Sequence, residues 1–310
     1  MPKLKQKQPR RDTQQEITNQ IIEMLENGVK PWSRPWSTSC YEGYALRHNG
    51  EAYRGINIML LDMACMAGGF HSAYWMTFRQ AKEYGGSVRK GEKGTAVFKA
   101  GTFTKKIELE NPTSGDPDQI EQQLPYLRSY TVFNADQIDG LPEQFYANAQ
   151  AAVSQNKDMR RDDIEAFFRA QLADIRYGGN RAFYRPSDDF IQMPCFDQFK
   201  SASAFYATQA HEYTHWTNAE HRLNRNFGPS KFGNKAYAKE ELVAELGAFL
   251  VAKHFGFENH EREDHAAYIG SWLKALRNDK REIFRAAAHA QRAFDFLLNN
   301  ATPQQIGEAA

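Results

Sequence analysis

Residues 209–216 read Gln-Ala-His-Glu-Tyr-Thr-His-Trp, and this stretch decides how the C-terminal half of the chain folds. His211 and His215 are four residues apart, so on an α-helix both imidazoles project from one face, about one turn apart. That spacing suits two ligands of one metal ion, and Glu212 between them could act as general base on a metal-bound water. The stretch predicts a metal-binding helix; a surface helix with two chance histidines is the alternative.

The segments around this motif predict a mixture of helices and short strands. Ser201 and Ser203 can cap the start of the motif helix, and neither Pro nor Gly follows before Gly228. Apolar periodicity predicts a helix over 162–173, strands over 175–177, 183–184 and 190–194, and helices over 238–255, 261–277 and 279–298. A strand, the motif helix and then further helices is the order found in zincin peptidases.

A catalytic zinc site usually has three protein ligands and an open position for water, so a third ligand is needed. Glu241 and Glu245 lie one turn apart on the next predicted helix. A Glu ligand followed four residues later by an acidic residue that braces a ligand histidine is the gluzincin arrangement. We favour Glu241 as the ligand and Glu245 as the brace, although their roles could be exchanged. The structural alternative is a solvated acidic face.

His221 is a second source of the third ligand. It follows His211 by ten residues, which is the spacing of the metzincin pattern HExxHxxGxxH. Asn218 stands where that pattern has Gly, and Asn is the next most tolerant residue for a left-handed turn.

The composition of the 310 residues suits two domains with a real apolar core, because 41% of the residues are hydrophobic. The formal net charge of +1 predicts no partner by itself. Residues 1–110 nevertheless hold 17 Lys+Arg and 11 Asp+Glu, whereas the remaining residues hold 22 and 27. A basic N-terminal part and a mildly acidic C-terminal part suggest different partners.

The three cysteines, Cys40, Cys65 and Cys195, are widely spaced and form no CxxC metal motif, which favours a reducing compartment. No apolar run reaches the roughly 18–20 residues needed to span a bilayer. The basic N-terminus is not followed by an apolar segment, so we expect no secretory signal. A cytoplasmic protein without a membrane partner is expected.

The N-terminal part shows clear boundaries of helices and strands. Residues 1–11 look like a basic arm, and Asp12 or Thr13 can cap a helix that runs to about Glu26. Further predictions are an extended segment over 31–36, a helix over 57–67, a strand over 74–77, a helix over 77–84, a strand from 95 to about 106, a loop over 110–123 and a returning strand over 127–133.

Nine stretches give the chain a specific resemblance to the plasmid-encoded ArdC antirestriction proteins, whose N-terminal domain also occurs in TraC-type conjugative DNA primases. In order they are Pro31–Trp36, Tyr53–Asn57, Trp75–Ala81, Val88–Gly94, Val132–Gln137, His211–Trp216, Arg222–Arg225, Tyr237–Glu245 and Ser271–Leu273. The resemblance covers nearly the full length. It departs at Asn218, where related sequences often carry Gly.

The resemblance implies an α+β fold with a mixed α/β single-stranded-DNA-binding domain followed by a zincin-like α+β metallopeptidase domain. The expected boundaries are 1–140 for the first domain, 141–158 for a linker, 159–298 for the second domain and 299–310 for a tail. The implied role is protection of incoming plasmid DNA from host restriction during conjugation.

The residue types of the N-terminal half agree with single-stranded DNA as a partner. A cationic groove and aromatic faces on which bases stack are the usual means of holding a single strand. The candidate DNA-binding residues are Trp32, Arg34, Trp36, Arg54, Trp75, Arg79, Arg89, Lys90 and Lys93. The structural alternative for each tryptophan is a place in the core, whereas residues 88–94 predict an exposed basic turn.

These predictions lead to two hypotheses for the C-terminal half. In the first, zinc on His211, His215 and Glu241 supports peptide hydrolysis, with Glu212 as general base and a protein substrate as a further partner. In the second, the metal only stabilises a protein that coats DNA. A metal-dependent nuclease is less favoured because HExxH is typical of peptide hydrolysis. Zinc is assigned from ligand type, and Mn²⁺ or Co²⁺ suits the same ligands.

Overall fold

The computed structural model describes residues 12–33, 41, 43–108, 119–146, 159–227, 235–259 and 266–302. In chain order the helices and strands are α1 Thr13–Glu26, β1 Leu46–Arg47, α2 Ile56–Gly68, β2 Tyr74–Met76, α3 Phe78–Glu83, β3 Ser87–Val88, β4 Thr95–Glu108, β5 Gln119–Asn134, β6 Ile138–Asp139, α4 Asp162–Arg169, β7 Asp174–Tyr177, β8 Phe183–Arg185, β9 Phe190–Met193, α5 Ala202–Trp216, α6 Lys235–Phe255, α7 Ala266–Asn278 and α8 Glu282–Ala301.

Local sequence signals account for several of these boundaries. The Asp12 side chain accepts a hydrogen bond from the Gln15 backbone N–H, which fixes the start of α1 at the predicted place. Gly69 adopts a left-handed conformation with φ of 63° and ends α2. Thr77 and Gln80 form a reciprocal capping box at the start of α3.

The N-terminal sheet has the strand order β1-β2-β5-β4, with β1 parallel to β2 and the other pairs antiparallel. β4 and β5 pair from Thr95↔Val132 to Glu108↔Gln119 and form a long two-stranded ribbon. The predicted loop over 110–123 is therefore too long, because residues 119–123 belong to β5. Their polar composition suits a ribbon whose outer part faces solvent on both sides.

The C-terminal part combines a small sheet with five α-helices among the described residues. The sheet has the order β7-β9-β8, with β7 parallel and β8 antiparallel to β9. α5 packs against this sheet and against α6, and α6 packs against α7 and α8. Together with the N-terminal sheet, this arrangement confirms the α+β fold class.

One apolar core crosses from the N-terminal part into the C-terminal part. Ile17, Ile21 and Leu25 of α1 belong to the same buried cluster as Trp272 and Leu276 of α7. Further links are the edge-to-face pair Phe98–Phe284 and the buried ion pair in which Lys253 Nζ lies 3.1 and 3.0 Å from the two carboxylate oxygens of Asp62. The two parts are therefore joined by shared packing.

The segment 141–158, predicted as a linker, is only partly described. Residues 141–146 pack on the N-terminal part, where Phe145 is buried against Met76 and Ala81. The rest of the predicted linker, the basic arm 1–11 and most of the predicted tail lie outside the described residues. Within the part of the chain that the structure describes, no helix is both long and apolar enough to cross a bilayer.

Candidate metal centre

The close approach of two helices brings the motif face of α5 against α6. Ser201 caps α5 by accepting a hydrogen bond from the Ala204 backbone N–H, as its position predicts. Gly247 of α6 lies directly against Thr214 of α5, and a Cβ at position 247 would stand 2.4 Å from Thr214 Oγ1. The absence of a side chain at position 247 therefore lets the two helices approach, so that Glu241 faces the motif histidines.

Three ligand-type side chains converge at this contact. His211 Nε2 and His215 Nε2 lie 3.0 Å apart. The two carboxylate oxygens of Glu241 lie 3.5 Å from His211 Nε2 and 3.4 Å from His215 Nε2. Each residue offers one ligand atom such that all three atoms lie within 4.8 Å of one another. Within the described part of the chain, these three side chains form the group of possible ligands that are close enough to share one metal ion.

Each imidazole also has a carboxylate on its other nitrogen. His211 Nδ1 lies 3.2 Å from Glu245 Oε1, and His215 Nδ1 lies 3.3 Å from Glu240 Oε1. A carboxylate at Nδ1 favours the proton on that nitrogen and leaves the Nε2 lone pair for a metal. The two Nε2 atoms face each other, and the carboxylate beside each Nδ1 favours the tautomer that leaves Nε2 free to bind a metal. This donor set of two imidazoles and one carboxylate fits a divalent metal ion.

The charges around the site show the same preference for a cation. Burial disfavours the charged form of His215, but Glu241 and Glu240 outweigh it and raise the pKa of His215 to about 10. Burial would raise the pKa of Glu241, yet the two histidines hold the pKa of that carboxyl well below its usual range. The site therefore stabilises a positive charge between these side chains, which a metal ion can supply in place of protons.

Arg225 connects the site to the end of α5. The residue is 7% exposed, and its guanidinium donates to Glu240 Oε2 at 3.1 Å, to Thr217 Oγ1 at 2.7 Å and to the Thr214 carbonyl at 2.7 Å. It thereby satisfies a carbonyl near the end of α5 and orients the carboxylate that faces His215. Sequence reasoning assigned no role to Arg225 or Glu240, although both fall in stretches that carry the ArdC resemblance.

Trp32 reaches the site from the N-terminal part of the chain. Its Nε1 donates to Glu245 Oε2 at 3.0 Å, and its carbonyl accepts a hydrogen bond from Asn259 Nδ2 at 2.9 Å. The indole packs edge-to-face on Trp272, with ring centroids 5.7 Å apart. Trp32 is therefore bonded to the carboxylate that stands behind His211.

Glu212 and His221, the predicted general base and the alternative third ligand, lie in different surroundings. Glu212 follows His211 on α5 and is buried, with 2% of its surface exposed. His221, the alternative third ligand, has an exposed side chain that lies 3.4 Å from Asp189 Oδ2 and within hydrogen-bond distance of Arg222. It does not join His211 and His215 in the group described above, whereas Glu241 does.

Tyr237 is a neighbour of the site that sequence reasoning missed. It lies one turn before Glu241 on α6 and makes a hydrogen bond with that carboxylate, and its hydroxyl is 3.3 Å from that of Tyr268. Burial raises the pKa of Tyr237, so its hydroxyl keeps its proton. Its position four residues before Glu241 on the same helix was the sequence signal that could have placed it beside that carboxylate.

The structure does not support a stacking role for the two described tryptophans among the predicted DNA-binding residues. Trp32 and Trp75 are both 0% exposed, so neither ring can receive a base. The physical reason is packing: Trp32 lies in the shared core, and Trp75 of β2 lies in a second buried cluster against Phe70.

The predicted basic residues lie at the surface, but several are paired with acids. Arg54 pairs with Asp295, Arg79 with Glu83, and Arg89 with both Glu92 and Asp139. Lys90 and Lys93 are exposed on the predicted basic turn. Arg34 and Trp36 lie outside the described residues.

Comparison with known families matches the two halves separately. Residues 11–133 match the family described as the N-terminal domain of anti-restriction factor ArdC, and residues 162–289 match the zincin-like metallopeptidase family.

Several relatives align with nearly the whole chain. A DNA primase TraC of Escherichia coli is 38% identical over an alignment of 301 positions, and the match covers 92% of this chain and 27% of that primase. The chain spans 20% of a second TraC primase at 37% identity. An uncharacterised Sinorhizobium fredii protein, y4eC, is 37% identical, and the match covers 96% of this chain and 95% of that protein.

Two solved structures share the fold. The metal-free crystal structure of the antirestriction protein ArdC from plasmid R388 is 46% identical, with a TM-score of 0.76, and the match covers 94% of this chain and 98% of that chain. The Mn(II)-bound structure of the same protein is 45% identical, with a TM-score of 0.76, and the match covers 95% and 100%.

Proposed function

The chain belongs to the ArdC family of antirestriction proteins, and on that premise we propose that it binds single-stranded DNA and protects incoming plasmid DNA from host restriction during conjugation. We further propose that its zincin-like domain holds a divalent metal on His211, His215 and Glu241 for peptide hydrolysis. The observation that carries the second proposal is the convergence of the three ligand atoms, with a carboxylate behind each imidazole.

Each side chain in this proposal has one task. His211 and His215 present Nε2 to the metal because Glu245 and Glu240 favour the proton on Nδ1. A divalent metal bound there would polarise a peptide carbonyl and lower the pKa of a water molecule. Glu212 would take a proton from the attacking water and return it to the leaving amine nitrogen.

Zinc is the first choice for this donor set, and manganese is the second. Two imidazoles and one carboxylate are a common set for catalytic zinc. The R388 protein has been crystallised with Mn(II), which supports a divalent metal site in this family and is the reason that manganese is the second choice.

A non-enzymatic, DNA-coating protein is the second candidate function. Its support is that Glu245 is hydrogen bonded to Trp32, so a metal at this site would also brace the contact between the two parts of the chain. In that case the metal stabilises the fold and DNA binding does the protecting.

Glu212→Gln separates the two candidates. The assay is transfer of an unmodified plasmid into a recipient with an active restriction system, with Glu220→Gln, an exposed carboxylate just beyond α5, as the matched control. Loss of protection by Glu212→Gln, with metal content and DNA binding unchanged, would support a peptidase-dependent role. Full protection by this variant would remove hydrolysis from the antirestriction function and leave DNA coating.

A further inference from the structure

The β4–β5 ribbon carries aromatic and basic side chains on one face. In the register of the pair, Lys99 lies opposite Arg128, Gly101 opposite Tyr126, and Val97 opposite Tyr130. Phe103 and Lys105 follow on the same face of β4, because successive side chains of a strand alternate between faces. The ribbon face is defined here as Lys99, Phe103, Lys105, Tyr126, Arg128 and Tyr130.

The aromatic rings of the ribbon face are accessible. Phe103 is 49% exposed and Tyr130 is 43% exposed, which is unusual for large aromatic side chains in a chain that buries three tryptophans completely. Tyr126 is half-buried because its ring lies over Gly101, where an added Cβ would stand 2.6 Å from the tyrosine oxygen. The Arg128 guanidinium lies 5.1 Å from the centroid of the Tyr126 ring. Gly101 therefore makes room for a ring that lies across the ribbon.

The positive charges of the ribbon face have no acidic partners among the residues that the structure describes. Lys99, Lys105 and Arg128 form no ion pair there, in contrast to Arg54, Arg79 and Arg89. Lys99 and Arg128 are even direct cross-strand neighbours, and like charges in this position repel each other. The repulsion between these two side chains costs the folded state stability, and an anionic partner that lies beside both would relieve it.

The opposite face of the ribbon lacks this combination. Its outer positions include Ala100, Thr102, Thr104 and Ser129, and its inner positions Phe98 and Leu127 pack on the shared core. That face also carries Lys106, but its aromatic residue Phe98 is buried, so exposed aromatic rings lie beside basic side chains on the ribbon face.

We propose that the ribbon face binds single-stranded DNA. Bases would stack on Tyr126, Tyr130 and Phe103, and phosphates would contact Lys99, Arg128 and Lys105. This inference rests on the proposed DNA-binding function and names the surface that performs it. A single strand fits better than a duplex, because the base pairs of a duplex are stacked on one another and their faces cannot reach the aromatic rings. It also fits better than an acidic protein, which would contact the positive charges but would not need the exposed rings.

The test measures binding of the full chain to a fluorescent 20-nucleotide oligo(dT) by anisotropy. Tyr130→Ala and Phe103→Ala should each weaken binding about 5- to 150-fold, whereas Tyr130→Phe should keep most of the affinity because the ring remains. Arg128→Ala should reduce the slope of log affinity against log salt concentration by about 0.7. Thermal unfolding of each variant checks that it is folded.

The chain offers matched controls for both residue types. Phe78 of α3 is also 49% exposed but lies outside the ribbon, so Phe78→Ala should leave binding unchanged. Lys105 and Lys106 are neighbours on opposite faces of β4, so Lys105→Ala should weaken binding more than Lys106→Ala.

The outcomes distinguish failure of this inference from failure of the proposed function. If the wild-type chain binds oligo(dT) but the ribbon-face variants bind no more weakly than the control variants, the DNA site lies elsewhere. That result would overturn this inference and leave the proposed function standing. A wild-type chain that does not bind oligo(dT) would overturn the proposed function as well. Equal competition by a duplex of the same length or by polyglutamate would overturn the assignment to a single strand.

Discussion

Replacing Trp32 with phenylalanine should weaken the metal centre from a position on the other side of the shared core. The change keeps a large aromatic ring next to Trp272 but removes the N–H that donates to Glu245 Oε2 at 3.0 Å. A buried acceptor that loses its donor costs about 1–3 kcal/mol. Removal of a group that orients a metal ligand typically costs about 10–100-fold in metal affinity, or about 1.4–2.8 kcal/mol, and Trp32 acts on His211 through such a group, Glu245. The two estimates overlap.

Metal affinity is measured by competition with a chromophoric chelator, and stability by thermal unfolding with EDTA and with saturating zinc. Trp32→Phe should bind zinc 10–100-fold more weakly and should gain less thermal stability from zinc than the wild type. Trp75→Phe is the matched control, because Trp75 is equally buried and its Nε1 has no hydrogen-bond partner among the described residues. Unchanged zinc affinity in a folded Trp32→Phe protein would refute the role of Trp32 in positioning Glu245.

Three further predictions follow from other contacts. Gly247→Ala should cost about 1–3 kcal/mol of stability and reduce metal affinity, because the new Cβ would overlap Thr214 and push α6 from α5; denaturant unfolding and metal titration measure both effects. Lys253→Met should lower the free energy of unfolding by about 3–5 kcal/mol because it leaves Asp62 buried without its cation. The double variant with Asp62→Asn should recover part of this loss in the same denaturant unfolding assay. Burial lowers the pKa of His289 to about 4, below the unfolded value near 6.5. The free energy of unfolding should therefore fall as pH decreases from about 6.5 to 4. Urea unfolding measures this loss, and the His289→Gln variant should not show it.

The sequence was most informative where function or capping restricts the choice of residue. The HExxH spacing identified α5, and the acidic pair on the next helix identified Glu241 as a side chain able to reach both histidines. Asp12 and Gly69 marked helix ends because their side-chain chemistry or backbone conformation acts locally. These signals depend on residues within a few positions of one another.

The remaining features depend on contacts between distant segments. The burial of Trp32 depends on Trp272 and Glu245, and nothing in the sequence around Pro31 reveals either partner. The pairing of Glu240 with Arg225 likewise arises only once α6 lies beside the end of α5. The sequence therefore predicted which residues converge at the candidate metal site but not which side chains brace them.

The ribbon face was missed for a different reason. Arg128 and Tyr130 lie in the predicted strand over 127–133, but the sequence does not show which residues of the strand from 95 to about 106 stand opposite them. The exposed aromatic rings became recognisable only when the length of β5 and the register with β4 were known.

The core shared by α1 and α7 also bears on how such a protein can be inherited. Recombination that separated residues 11–133 from residues 162–289 would leave Ile17, Ile21 and Leu25 without the surface they cover, and would leave Glu245 without its indole donor. Selection would remove most such fragments, because each would expose an apolar face and be prone to aggregation. The two segments should therefore be gained and lost together, as one cassette, when genes of this family are fused to others.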